Sequence, residues 1–299
     1  MSPSEKREAL EGFLAISPWV LGVIIFLIGP IVASLFLSFT EYEVVKPPVF
    51  IGLANYTRLV KDRLFWQALK VTATYVFTSV PLSISLAFAV ALLMNQKVAF
   101  LGLFRTVYYM PNLVPSVASA ILWSWIFNPE FGLLNMFLRR LGVANPPMWL
   151  ISTKWAMPAI IIMSLWGVGG PMLIYLAGLQ GIPTELYEAA EIDGAGSVAR
   201  FRHVTLPQMS PVLFFNLVMG IIGSWQVFTA GYIMTGGGPR YATWFYVLYL
   251  YNSAFRYFRM GYASALAWVL ALIILFFTAL VFRSSTAWVY YAGELKGRR

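Results

Sequence analysis

The chain has 299 residues, 60% of them hydrophobic and only 11% charged, with a formal charge of +9. Soluble domains carry about 25% charged residues, so this composition, with a mean hydropathy of +0.73, reads as a polytopic membrane protein. The lack of cysteine excludes disulfides and thiolate metal sites, the single histidine, His203, excludes a multi-histidine metal centre, and the scattered basic residues suit anionic lipid rather than nucleic acid.

The N-terminal segment leads into an apolar run, Phe13–Phe39, longer than the roughly 7–15 residues of a signal-peptide core. No A-x-A-like site follows it, so it is expected to be a retained first span. Five more runs reach the roughly 20 apolar residues that a helical span needs. They are Val71–Met94, Val107–Phe127, Trp155–Leu179, Pro211–Met234 and Gly261–Phe282. The expected fold is an all-α membrane protein with six transmembrane helices. A barrel would instead alternate apolar and polar residues over about ten positions. Several runs contain proline, including Pro30, Pro81, Pro115 and Pro171, which membrane helices tolerate when the freed carbonyls find other partners.

Six spans place both termini on one side. Lys and Arg divide almost evenly between the two sides, so the positive-inside rule does not orient the chain. Two loops on the side away from the termini contain short helices by pattern. Asn128-Pro129-Glu130 followed by FGLLNMFLRRLG predicts a helix capped by Asn128, with Gly142 past its end and Leu134, Phe137, Leu138 and Leu141 on one face. Trp244–Phe255 is apolar, rich in tyrosine and too short to span, which predicts an interfacial helix. Between the fifth run and this segment, Thr235-GGG-Pro239 reads as a flexible turn or as part of a partner-docking element.

No lysine is followed by Ser or Thr, so the chain carries no P-loop. Acid–base catalysis would need titratable groups in a cleft, and the six runs hold almost none at depth. This disfavours a membrane-embedded enzyme and a proton-coupled carrier, and it leaves a sodium-coupled carrier open. The polarity that remains is uncharged and is accompanied by aromatic rings. Amides, hydroxyls and ring faces are the groups that hold a neutral polyhydroxylated ligand. Trp166, Asn216, Trp225, Gln226 and Phe228 are the candidates for such a path, against the alternative that they only pack helices together.

One stretch stands apart from the oil. Residues 182–208 hold Glu185, Glu188, Glu191 and Asp193, four of the twelve carboxylates. Thr184 is expected to cap a short helix whose first turn carries Glu185. Glu185, Glu188 and Glu191 are spaced as like-charged neighbours, a cost of a few tenths of a kcal/mol per pair that a positive partner would remove. Ala189 and Ala190 leave the backbone bare for a close fit. Gly194 should break the helix, Ser197 cap a second one, and Pro207 close it. The spacing suits either a docking element or an ordinary solvated loop.

The pattern EAA-x3-G-x9-V-x-L-P, from Glu188 through Gly194 to Pro207, resembles the EAA loop of permease subunits of binding-protein-dependent ABC importers. Val204 stands where the family usually has Ile. ELYEAAEIDGAGSVARFRHVTLP, RTVYYMPNLVP, LWSWIFNPEFGLLN, SWQVFTAGYIMTGGGP and the Met260-GYASALAW run are similar to the carbohydrate branch, and together they cover about residues 65–282. The resemblance implies a type I ABC importer permease fold with a core over residues 65–283, preceded by 1–64 and followed by a cytoplasmic tail, 284–299. It implies a second permease, two cytoplasmic ATPase subunits docked on the loops and an extracytoplasmic solute-binding protein, with no cofactor and no metal in this chain. It also implies a prokaryotic cytoplasmic membrane with both termini inside, and a role in coupling for Glu185, Glu188, Ala189, Ala190, Asp193, Gly194 and Pro207. The expected activity is translocation of a sugar or sugar derivative. The alternative is a stand-alone secondary carrier or channel for a small neutral polar solute.

Overall fold

A computed structural model of the chain describes residues 3–96 and 100–290. In chain order the helices are α1 (Pro3–Val23), α2 (Gly29–Ser38), α3 (Ala54–Lys61), α4 (Arg63–Met94), α5 (Leu101–Tyr109), α6 (Ser116–Ile126), α7 (Leu133–Arg140), α8 (Ala156–Leu165), α9 (Gly169–Gln180), α10 (Thr184–Ile192), α11 (Ser197–Arg200), α12 (Leu206–Trp225), α13 (Tyr246–Tyr251) and α14 (Met260–Ser285). Among the described residues the expected all-α fold is interrupted by one small antiparallel hairpin, β1 (Thr40–Glu41) with β2 (Val49–Phe50), Thr40 facing Phe50.

Among the described residues four helices are long and apolar enough to cross a membrane: Leu10–Ser38, Arg63–Met94, Ser197–Trp225 and Met260–Ser285. Helices α8 and α9, bent by 44° at their break, make a fifth if they act as one span. The run Val107–Phe127, expected to be one span, is broken. α5 ends at Tyr109, a 3₁₀ turn covers Met110–Leu113, and α6 restarts at Ser116. Pro111 and Pro115 are the physical reason, since each lacks an N–H and crowds the carbonyl four residues back.

Two other prolines are passed without a break. A π turn over Ile24–Ile28 precedes Pro30, and another over Phe201–Thr205 precedes Pro207. In each the residue before proline donates its N–H five residues back, Gly29 to Ile24 O and Leu206 to Phe201 O. The widened turn lets the helix run on through the proline. Pro207 therefore does not close the polar stretch; α11, the π turn and α12 form one continuous helix.

The chain packs as two units, one holding residues up to Asp62 with Leu250–Ala271, the other Arg63–Tyr249 with the residues from Leu272 on. In the first, buried Asn55 donates to the Ser38 and Thr40 carbonyls at 2.9 and 2.8 Å. Tyr262 donates to Asp62 at 2.7 Å and Trp268 to Ser34 at 3.2 Å, fastening the start of α14 to this layer. In the second, α4 is the central helix, packed against α8, α9 and α12. Ala87, Phe88, Ala91 and Met94 of α4 meet Met172, Tyr175, Leu176 and Leu179 of α9 and Met209 of α12 in a continuous core.

The two short-helix expectations need correction. Asn128 does not cap α7; its Oδ1 accepts from the Glu130 and Phe131 N–H groups, and α7 starts later at Leu133. The inward face of α7 is built on Asn135, with Leu134 and Leu138 half-buried, while Phe137 and Leu141 are exposed. Asn135 donates to the Pro129 and Pro147 carbonyls and accepts from the Trp149 indole at 2.7 Å. Asn135→Ala would strand these groups and should cost about 3 kcal/mol, read as a lower midpoint of thermal denaturation.

The Trp244–Phe255 segment is not an exposed interfacial helix throughout. Phe245, Tyr246, Leu248 and Tyr249 are buried in the second unit, and the Tyr246 N–H donates to Thr72 Oγ1 at 2.8 Å. Burial, with Tyr249 beside it, pushes the Tyr246 phenol above its ordinary range. The glycine run before it is packed rather than a loose turn. A Cβ on Gly237 would lie 2.2 Å from the Trp244 ring, and the hydroxyls of Thr235 and Thr243 share a 2.6 Å hydrogen bond.

Candidate functional site

The acidic stretch folds as a helical hairpin. Pro183, extended at φ −57° and ψ 132°, sets the start of α10, so neither Thr184 nor Ser197 caps a helix with its side chain; Pro183 and Gly196 hold those positions. At the other end of α10 Gly194 takes φ +79°. Its N–H reaches Glu191 O at 3.0 Å, and Ala195 N–H reaches Ala190 O at 2.9 Å. These bonds close a left-handed C-cap that satisfies the last carbonyls of the helix. The chain then reverses into α11, and Arg200 comes back to pair with Glu191 at 3.3 Å.

Glu185, Glu188, Ala189, Asp193 and Gly194 are exposed on the hairpin, Ala190 is half-buried, and Pro207 is half-buried where α12 begins. Two apolar side chains flank the turn in full exposure, Ile192 at 87% and Val198 at 80%. The inner side of the hairpin rests on the core. Tyr187 and Val204 pack against the cluster at the ends of α4 and α9, and the Phe201 ring lies 6.2 Å from Phe88. The Tyr187 and Thr205 hydroxyls are hydrogen-bonded at 2.9 Å.

Deeper in the same unit are two cavities. The first, about 300 Å³, is walled by Tyr75, Ser79 and Ser83 of α4, Ser164 of α8, Tyr175 of α9, and Asn216 and Ser224 of α12, with Val80, Ile84, Pro171 and Met219 between them. The second, about 290 Å³, shares Tyr75 and Ser164 and adds Ser116, Gln226, Phe228 and Thr229. No Asp, Glu, Lys, Arg or His lines either one. The Tyr175 hydroxyl is buried without a hydrogen-bond partner among the described residues, and the Ser79 hydroxyl is buried beside the Tyr75 phenol.

The five path candidates are thus placed differently. Asn216 lines the first cavity, and Gln226 and Phe228 line the second. Trp225 is buried and stacked on Phe277 with ring centroids 5.5 Å apart. Trp166 meets Trp123 edge-on at 5.9 Å. Neither indole lines these two cavities. Tyr75, Ser79, Ser83 and Tyr175 are wall residues that the sequence reading passed over. The first three are spaced i, i+4 and i+8, a polar stripe on one face of α4, and that spacing was the available signal.

Residues 79–288 match the family described as binding-protein-dependent transport system inner membrane component. Among curated proteins the chain is 42% identical over 297 residues to the probable ABC transporter permease protein YesP of Bacillus subtilis, covering 98% of this chain and 96% of that one. It is 37% identical over 277 residues to the trehalose/maltose transport system permease protein MalF of Thermococcus litoralis, covering 91% and 92%. The lactose transport system permease protein LacF of Rhizobium radiobacter is 36% identical over 272 residues, covering 89% and 90%. A chain of a bacterial alginate ABC transporter, solved with an alginate pentasaccharide-bound periplasmic protein, superposes with a TM-score of 0.81 at 24% identity, covering 94% of this chain and 95% of that one. The family match covers more than half of the sequence and the relatives align along nearly all of it, so the chain belongs to the binding-protein-dependent ABC transporter permeases of the inner membrane.

Proposed function

We propose that the chain is the membrane-spanning permease subunit of an ATP-driven importer for a sugar or sugar derivative. The observation that carries this reading is the pairing, within one packed unit, of an uncharged hydroxyl-and-amide cavity with an exposed acidic hairpin. Ligand is handed over by a solute-binding protein on the outer face and passes along the cavities. A second permease completes the path. In this reading α5 and α6 together form the third of six passes, a broken one, so that both termini and the hairpin lie in the cytoplasm. Relatives named for trehalose/maltose and lactose transport support the substrate class. Broken backbone at membrane depth is tolerated where protein or a water-lined cavity covers it.

The hairpin is the docking element for a separate ATPase subunit. Glu185, Glu188 and Asp193 offer negative charge, Ala189 and Ala190 allow close approach, and Gly194 makes the reversal. Ile192 and Val198 are apolar anchors at its tip, the kind of exposed group that an interface buries. The chain lacks a P-loop, and ATP hydrolysis falls to the partner.

The cavity is tested by removing two of its hydroxyls. Ser79→Ala and Tyr175→Phe should each lower apparent affinity for the transported sugar by about tenfold, the loss of one hydrogen bond of about 1.4 kcal/mol. Amounts in the membrane should be unchanged. Uptake by the complex in proteoliposomes, scanned over neutral mono- to trisaccharides, is the measurement. Unchanged affinity in both variants would remove the cavity from the path.

A further inference from the structure

We infer that Tyr187 is a positioning residue, whose bond to Thr205 locks the hairpin to the span that begins with α11, so that the two move as one body. The inference rests on the docking role proposed above. It starts from a weakness in the helix. α11 joins α12 through the π turn Phe201–Thr205, where Leu206 N–H reaches back to Phe201 O. Such a turn is a place where a helix bends, and it is frequent at functional sites. A push on α10 would be absorbed there unless something spans the joint.

Among the described residues, two polar side-chain contacts tie α10 to the helix that follows the Gly194 reversal. The Glu191–Arg200 ion pair at 3.3 Å has Glu191 69% exposed, and a solvated pair of this kind is screened and holds little. It also meets the helix before the π turn rather than in it. The second contact is the 2.9 Å bond between the hydroxyls of Tyr187 and Thr205. Thr205 is 6% exposed and lies within the π turn itself. Tyr187 is packed on the core formed by the ends of α4 and α9. One part-buried hydrogen bond thus ties the joint to both the hairpin and the core. The aromatic ring alone would keep the packing but would leave the angle free.

The chain contains no cysteine, so paired spin labels can be introduced directly. Labels at T184C, at the exposed start of α10, and F215C, exposed on α12 and outside both cavities, report the angle between hairpin and span. The full complex in nanodiscs is measured without nucleotide and with ATP plus vanadate. In the otherwise native chain one narrow distance should persist in both states. Y187F and T205V should each make the distribution roughly twice as wide, or displace it on trapping. T205S, which keeps the hydroxyl, should resemble the native chain. The double variant Y187F/T205V should be no worse than either single one, because both remove the same bond. Native-like widths in Y187F and T205V, or additive effects, would overturn the inference. Loss of the ATPase subunit from Y187F during purification would also overturn it, since the tyrosine would then serve docking. If no ATPase accompanies the native chain at all, the docking reading fails instead, and the widths measured on the chain alone still decide whether the bond holds the joint.

Discussion

Glu188→Lys is expected to reduce ATP-driven uptake about thirtyfold or more while the protein still inserts and folds. Glu188 lies on the open side of α10 and pairs with no described residue, so its removal leaves the hairpin intact. If the hairpin docks an ATPase subunit, as proposed, the effect arises at that partner. Reversing a charge that is desolvated in an interface costs on the order of 2–5 kcal/mol, and 2 kcal/mol already corresponds to about thirtyfold. Glu191 offers the contrast. It is committed to Arg200 within the chain, so Glu191→Gln should change uptake by no more than about twofold. Equal uptake by the Glu188→Lys and native complexes, at equal protein levels, would show that the acidic face of α10 plays no part in coupling.

Gly169→Ala should be among the most damaging small substitutions in the membrane region. A Cβ there would sit 2.0 Å from the Tyr108 carbonyl oxygen, and backbone has to move to admit it. This contact joins the start of α9 to the end of α5. Asn112 pins the same break: with its amide turned to satisfy both ends, it donates to Gly167 O and accepts from Gly170 N–H, each at 3.0 Å. Forcing a methyl into this site should cost about 3 kcal/mol or more. The expected outcome is a strong fall in monodisperse protein and in the denaturation midpoint. Gly167→Ala is the control, because its Cβ would meet nothing closer than 3.6 Å. Equal behaviour of the two variants would show that the break between α8 and α9 is not held by this contact.

Apolar runs located the long helices because a membrane demands length and oil whatever the neighbours are. Prolines were harder to read. Pro111 and Pro115 break a helix, whereas Pro30 and Pro207 are passed by π turns. The choice depends on whether a widened turn can pack, and a single sequence does not carry that. The acidic hairpin was legible since charge is rare in this chain and Gly194 has one good use beside a helix end. The cavity walls were legible only in part. Asn216, Gln226 and Phe228 are polar or aromatic residues that face open space, but Trp225 looks the same in sequence and turns into the core against Phe277. Whether a ring faces a cavity or a neighbour is settled by helix rotation. Tyr75, Ser79 and Ser83 needed to be read as a stripe.

The proposed permease is powered by a separate ATPase. The most direct test is uptake of neutral mono- to trisaccharides into proteoliposomes holding the complete complex, with ATP, without ATP, and with an ATPase subunit unable to hydrolyse it. Uptake of at least one sugar only when ATP is hydrolysed is the predicted result. Uptake by this chain alone, driven by an ion or solute gradient and indifferent to ATP, would contradict it.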